Sequence, residues 1–201
     1  MLAIAANKVS VVAFEPHTAL AQAIRASADA MGGGNLTVYN AMVGDFTGEA
    51  SFYLAPSSIH GSAVADSGRP AVGTSQRAIL SLDDLVASGA VPAPDVVKAD
   101  IEGSEHLLFD GAKRVFREKA PHIFIEYLPE FDVDQRIRAR IESLAADVPS
   151  YAVYGYPNLR VKSQFKNKLF LIEKPDDWSL VHGIVIRNTT RRPRDASMFG
   201  E

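Results

Sequence analysis

The chain has 201 residues, 47% of them hydrophobic and 22% charged, with a formal net charge of −3 and no cysteine. That length suffices for one domain with its own core, and the composition excludes a globally disordered polymer. The mild charge excludes electrostatic steering of the whole molecule to nucleic acid or an anionic membrane, and the missing thiols exclude disulfides, thiolate metal sites and a cysteine nucleophile.

In chain order, residues 9–14 (Val-Ser-Val-Val-Ala-Phe) read as a strand closed by Glu15-Pro16, because proline cannot donate to a ladder. Residues 18–31 read as a helix, capped by His17 or Thr18 and stopped by Gly32-Gly33-Gly34. Residues 36–42 predict a second strand, and residues 50–54 a third after the turn-forming Asp45-Phe46-Thr47-Gly48. Residues 55–78, rich in Ser, Gly, Ala and Pro without a period, predict a long loop, and such loops are usually functional or mobile. Ser81 caps a short helix containing Leu82, Leu85 and Val86, with Asp83 and Asp84 in its first turn. Residues 95–100 predict a buried strand. Gly103-Ser104-Glu105 then turns into a helix carrying Leu107, Leu108, Ala112, Val115 and Phe116. Residues 123–127 give another apolar strand, and residues 133–146 a helix with Ile137, Ile141 and Leu144 on one face. Residues 151–156 and 169–172 predict a closing strand pair.

Apolar strands alternating with helices predict an α/β domain over residues 1–186, with a mostly parallel sheet covered on both faces and an antiparallel C-terminal edge. Residues 187–201, with Arg187, Arg191, Arg192 and Arg194, predict a flexible basic tail. No apolar run reaches the roughly 18 residues of a membrane helix. The first six residues lack the basic start of a signal peptide and break at Asn7-Lys8, so a cytoplasmic location is expected, with no membrane or nucleic-acid partner.

Three predicted strands end in a carboxylate: Glu15, Asp100 and Glu126. In open α/β sheets ligands sit beyond the carboxyl ends of the strands. Residues 9–14, 96–100 and 123–126 are therefore expected as parallel neighbours in one sheet, with the three acids at one edge. Glu15 either accepts two hydrogen bonds from ribose hydroxyls or complements the next helix dipole. Lys98, Asp100 and Glu102 alternate, so strand period puts them on one side; they face a ligand, or Glu102 and Glu105 cap a helix N-terminus. Asp100 and Glu126 on neighbouring strands could share a pocket. Two close carboxylates raise one pKa and make a general base, or bind a cation. The alternative is a solvated strand end. The five histidines, His17, His60, His106, His122 and His182, form no metal-ligand pair, and no metal site is expected. His60 lies in the long loop, where a mobile base or a solvated side chain both fit. No nucleophile elbow or phosphate-binding glycine loop occurs.

Taken together, Ala13-Phe14-Glu15-Pro16, Asn40-Ala41-Met42-Val43-Gly44-Asp45 with Gly48, Gly61-Ser62, Ser81-Leu82-Asp83-Asp84-Leu85, Lys98-Ala99-Asp100-Ile101-Glu102-Gly103-Ser104-Glu105, Gly111-Ala112 and Ile125-Glu126 resemble the FkbM-type methyltransferases. The likeness runs from about residue 9 to residue 130, and its most specific part is Lys-x-Asp-x-Glu-Gly-x-Glu. It implies a three-layer, Rossmann-like class I fold, S-adenosylmethionine as cofactor, and O-methylation of a hydroxyl on a sugar or other small metabolite. By the same resemblance Glu15 binds the ribose, Asn40 and Ala41 border the adenine, and Asp100 lies beside the methionine part and the acceptor. Asp100, Glu126 and His60 are the candidates for the base that takes the hydroxyl proton.

The family's first strand ends in an Asp-x-Gly-Ala-Asn-x-Gly-like turn that cradles the methionine part. Here only Leu2 to Ala6 precede the residue 9–14 strand, so that strand and its turn are expected to be missing, and cofactor affinity to be weak. The rival reading is a truncated, non-catalytic methyltransferase-like module. A nicotinamide-dependent oxidoreductase needs a Gly-x-Gly-x-x-Gly turn, which is absent, and leaves the Lys98–Glu105 block unexplained. The acceptor's identity and the oligomeric state are not legible in the sequence.

Overall fold

The structure is a computed structural model that describes residues 9–32, 34–54, 61–64, 71–129, 132, 134–157 and 169–190. Strand β1 (Val11–Phe14) leads through helix α1 (Thr18–Ala30) to β2 (Leu36–Tyr39), which lies parallel to it in register Val11↔Leu36 to Phe14↔Tyr39. Helix α1 buries Ala21 and Ala28, side chains small enough for close approach. His17 holds the N-cap position without a side-chain cap; its backbone N–H donates instead to Glu15 Oε1 at 2.8 Å.

The expected strand over residues 36–42 divides. After β2 the chain turns at Asn40-Ala41 and resumes as β3 (Met42–Val43) in a different sheet. Asn40 Nδ2 donates to the Glu15 carbonyl at 2.8 Å, and Asn40 Oδ1 accepts from Thr18 Oγ1 at 3.0 Å. These long-range bonds hold the bend. Strands β4 (Gly48–Leu54), β5 (Gly61–Ser62) and β6 (Gly73–Leu80) complete the second sheet in the order β3-β6-β4-β5. Part of the expected long loop is thus a strand, paired antiparallel to β4 from Gly48↔Ile79 to Leu54↔Gly73. Its faces stay half-exposed until Ile79, so the strand carries no apolar alternation to read.

Helix α2 (Leu82–Ala87) is capped as expected, Ser81 Oγ accepting from Asp84 N at 3.3 Å. Strand β7 (Val96–Ala99) precedes α3 (Glu105–Gly111) and α4 (Lys113–Lys119), then β8 (His122–Glu126). The expected single helix is two, broken at Ala112 where α3 meets the loop after β3. A Cβ built on Gly111 falls 1.8 Å from the Gly44 carbonyl oxygen, so only glycine fits there. Gly111→Ala is expected to destabilise the fold by about 1–3 kcal/mol, the usual cost of overpacking. Denaturant unfolding measures this, and a midpoint equal to wild type would contradict the packing.

Helix α5 (Arg136–Asp147) buries Ile137, Ile141 and Leu144, the expected face. Strands β9 (Tyr151–Pro157) and β10 (Phe170–Leu171) pair antiparallel as expected. A 3-10 helix (Pro175–Leu180) then leads into β11 (Val181–Asn188), a strand the sequence reading missed. It inserts between β9 and β8, antiparallel to both, and it carries the chain two residues past the expected start of the tail at 187. The third sheet runs β10-β9-β11-β8-β7, and the main core lies on it, with Ile123, Ile141, Ile184 and Phe116 among its most buried side chains.

The fold is therefore α/β with mixed sheets. One expectation is corrected in part. Strands β7 and β8 are parallel neighbours from Val96↔His122 to Ala99↔Ile125, but β1 pairs only with β2 among the described residues. No strand joins β1 to β7 there, so the sheets are three and antiparallel pairings dominate the largest. No helix among the described residues is long and apolar enough to cross a membrane.

Candidate functional site

The carboxyl ends of β1 and β7 face one cavity of about 290 Å3. Glu15 follows β1, Asp100 follows β7, and both line it, together with Glu102 and His17. Phe14, Phe52 and Met42 supply its apolar wall, and Ala41 closes one side. The cavity thus collects three carboxylates and no lysine or arginine among its described lining residues. Such a pocket concentrates positive charge.

The 100–105 segment shows how one acidic block divides its labour. Glu102 sits at φ +56° and Gly103 at φ +88°. This left-handed pair ends the strand period and turns the chain into α3; the second position is one that glycine adopts without strain. The turn leaves Glu102 in the cavity wall and buries Glu105, which is 2% exposed. Glu105 Oε1 accepts from the Ile101 N–H at 3.1 Å. Burial pushes its carboxyl up to about 7, against the backbone hydrogen bonds it accepts and with help from the nearby Asp100 charge. Glu105 therefore holds the loop at Ile101, with no side-chain cap at the helix N-terminus, while Asp100 and Glu102 line the cavity.

Ser104 adds a second tie. Its Oγ lies 2.7 Å from Ser62 Oγ and accepts from Ala63 N at 3.0 Å. Residues 61–64 are thereby pinned over the N-terminus of α3. Gly61 lines the cavity, and a Cβ there would collide with the Phe52 ring at 2.3 Å. His60, the remaining candidate base, lies outside the described residues.

Asp100 and Glu126 do come together. Parallel pairing of Ala99 with Ile125 puts the next residues, Asp100 and Glu126, side by side, close enough for the Asp100 carboxylate to act on Glu126. Burial first, then the hydrogen bond and charge of Asp100 and the charge of Glu102, push Glu126 up to about 7; Lys98 opposes this. Lys98 Nζ lies 3.4 Å from Asp100 Oδ2 at the surface, so the predicted same-side arrangement of Lys98 and Asp100 holds. Glu126 stands behind Asp100 and does not line the cavity. Asn40 does not line it either: its side chain is spent on Glu15 and Thr18, and it shapes the wall through the bend that presents Ala41. Among the described residues no group of three or more His, Asp or Glu side chains could hold a metal ion.

A larger groove, about 390 Å3, runs between α3, α4 and α5. Its cations are already matched: Lys113 and Arg140 lie 2.8 and 2.9 Å from Asp110, and Arg117 lies 2.5 Å from Asp147. Size alone favours this groove, but the smaller cavity is lined by three carboxylates with no lysine or arginine among its described lining residues, and chemistry decides the choice. The sequence reading missed His17, Phe52 and Ser104. Only the Gly61-Ser62 and Gly103-Ser104 pairs hinted at the last.

Comparison with known proteins bears on the same segment. Residues 2–150 match the family model for the methyltransferase FkbM domain. Among solved structures, the chain is similar to the crystal structure of methyltransferase FkbM from Methylobacillus flagellatus KT, at 18% identity and a TM-score of 0.51, over 89% of this chain and 36% of that one. At that identity the likeness is one of fold, and the chain spans little more than a third of that protein's length. A search of curated proteins gives no match. With a family match across well over half its length, this chain belongs to the FkbM methyltransferase domain family.

Proposed function

We propose that the cavity between β1 and β7 is an S-adenosylmethionine site of class I type, and that the chain transfers the methyl group to a hydroxyl of a sugar or other small metabolite. The observation that carries this reading is the cavity's lining: Glu15, Asp100 and Glu102, with no lysine or arginine among its described lining residues. A sulfonium nucleoside is a cation with a vicinal diol, and both features suit such a wall. Family membership supports the cofactor class.

The residues present fit that ligand. Glu15 holds its own loop through Oε1, which accepts from His17 N, and Oε2 is free to accept from a ribose hydroxyl. His17 Nδ1 is buried beside it without a hydrogen-bond partner among the described residues, a polar atom that a ligand can satisfy. Phe14 and Phe52 offer apolar surface for a purine. When bound, the cofactor supplies an electrophilic methyl group on sulfur. This chain's part is to align the acceptor and remove its proton, for which Asp100 is the cavity-facing base. No glycine-rich turn lines the cavity among the described residues, so affinity is expected to be weaker than micromolar.

The test is transfer of isotope-labelled methyl from S-adenosylmethionine, at millimolar concentration, onto a panel of sugars and hydroxylated metabolites. An alkali-stable methyl ether supports the reading, and no transfer to any hydroxyl contradicts it. Glu15→Gln is expected to weaken cofactor binding about tenfold to hundredfold, since charge-assisted hydrogen bonds contribute roughly 1.5–3 kcal/mol. Unchanged affinity, measured by titration calorimetry, would remove Glu15 from the site.

A further inference from the structure

The third sheet places a histidine behind the carboxyl pair. Glu126 has Asp100 on its β7 side and β11 on the other, where Gly183 is its register partner. Strand β11 changes register between Val181 and Gly183, so His182 sits at a β-bulge. Bulges re-aim a side chain and recur next to active sites. This one is anchored by Tyr127 N, which donates to the His182 carbonyl at 3.3 Å, and it brings His182 Nε2 to 3.7 Å from Glu126 Oε1. The imidazole is about half exposed, with its side chain at 46%.

We propose that Asp100, Glu126 and His182 form a continuous proton path from the cavity to solvent, with Glu126 as its middle member and His182 as its outlet. The proposal rests on the reading of the cavity as a methyl-transfer site and assigns His182 a role in it. As the acceptor oxygen bonds to the methyl carbon, the carbon–sulfur bond breaks and its electron pair stays on sulfur. The hydroxyl proton passes to the Asp100 carboxylate. From there it shifts to Glu126, then to His182 Nε2, and leaves to water, returning Asp100 to its ionised form. The gap of 3.7 Å closes by a small side-chain rotation or through one water, as unliganded sites commonly require. The charged groups facing Glu126 are Asp100, Glu102 and Lys98 from β7 and its loop, and His182 from β11. Burial first, then Asp100 and Glu102, and against Lys98, push Glu126 up to about 7, where a relay must work.

Two measurements on the whole chain decide this. In carbon-detected NMR the Glu126 carboxyl is expected to titrate near 7 in wild type and lower in Asp100→Asn, which removes the Asp100 contribution and leaves that of burial. A wild-type Glu126 midpoint near 4.5, or one indifferent to Asp100→Asn, overturns the path whether or not the chain methylates anything. In single-turnover transfer, His182→Gln is expected to lose about tenfold in rate, less than the 100-fold or more of a primary base, with cofactor affinity retained and the rate restored by added imidazole. An unchanged rate, or a loss that imidazole does not rescue, contradicts the path. Wild-type chain without transfer overturns the cavity reading alone, because the coupled titration stands or falls separately.

Discussion

Asp100→Asn is expected to slow single-turnover methyl transfer by about 100-fold or more, the usual contribution of a positioned general base, while cofactor affinity stays close to wild type. The asparagine keeps the shape and the hydrogen-bonding reach of the side chain and removes its negative charge and its capacity to take a proton. Stability is not expected to follow. The Asp100 side chain is 47% exposed and its ion pair with Lys98, at 3.4 Å, is a surface one. Such pairs contribute about 0–1 kcal/mol. A rate equal to wild type would take Asp100 out of the chemistry and reduce the Lys98–Glu105 block to a structural device. A combined loss of rate, affinity and stability would place Asp100 in the loop scaffold with Glu105.

Glu105→Gln tests the other half of that division, and its effect is expected in stability. The buried Glu105 carboxyl is raised from 4.5 to about 7, so the folded chain binds its proton more tightly than the unfolded chain does. The sign follows from linkage. The stabilisation is fully present below about pH 4.5 and is lost as pH rises through 7, because the unfolded chain has already released that proton. A rise of this size corresponds to about 3 kcal/mol. Glutamine keeps an oxygen for the Ile101 N–H and stays neutral at every pH. The variant is therefore expected to match wild type near pH 4 and to exceed it by about 3 kcal/mol at pH 8. Glu126 is raised as well, but it is common to both proteins and cancels in the difference. Urea unfolding across this range measures the effect. A variant less stable than wild type at pH 8 would mean that the ionised carboxylate holds the 101–105 loop.

The contrast between these two acids shows what the sequence could reveal. The adjacency of Asp100 and Glu126 was legible because both strands are short, apolar and followed by an acid, and parallel pairing aligns such ends. Glu15 at the tip of β1 was legible on the same ground. Which of Asp100, Glu102 and Glu105 lines the cavity was not. That depends on the left-handed step at Glu102 and Gly103, which breaks the alternation that strand period assumes. Strand β6 escaped notice because Thr74, Gln76 and Ala78 leave no buried face to mark it. The bend at Asn40 is held by partners 22 and 25 residues away, beyond any local pattern. The same holds for His182: nothing around it in sequence suggests that a strand inserted between β8 and β9 would carry it to Glu126. The expectation that β1, β7 and β8 share one ladder failed because no described strand bridges β1 and β7, yet the cavity between them still unites Glu15 with Asp100.

The measurement that bears most directly on the cavity is amide shift mapping of the isotope-labelled chain titrated with S-adenosylhomocysteine, which carries the nucleoside and needs no turnover. The account predicts saturable shifts confined to Glu15, His17, Ala41, Ile101, Glu102 and their neighbours, at concentrations that rise about tenfold or more in Glu15→Gln. Shifts centred on Asp110, Arg117 and Arg140 in the groove between α3 and α5, or none at millimolar ligand, would contradict it.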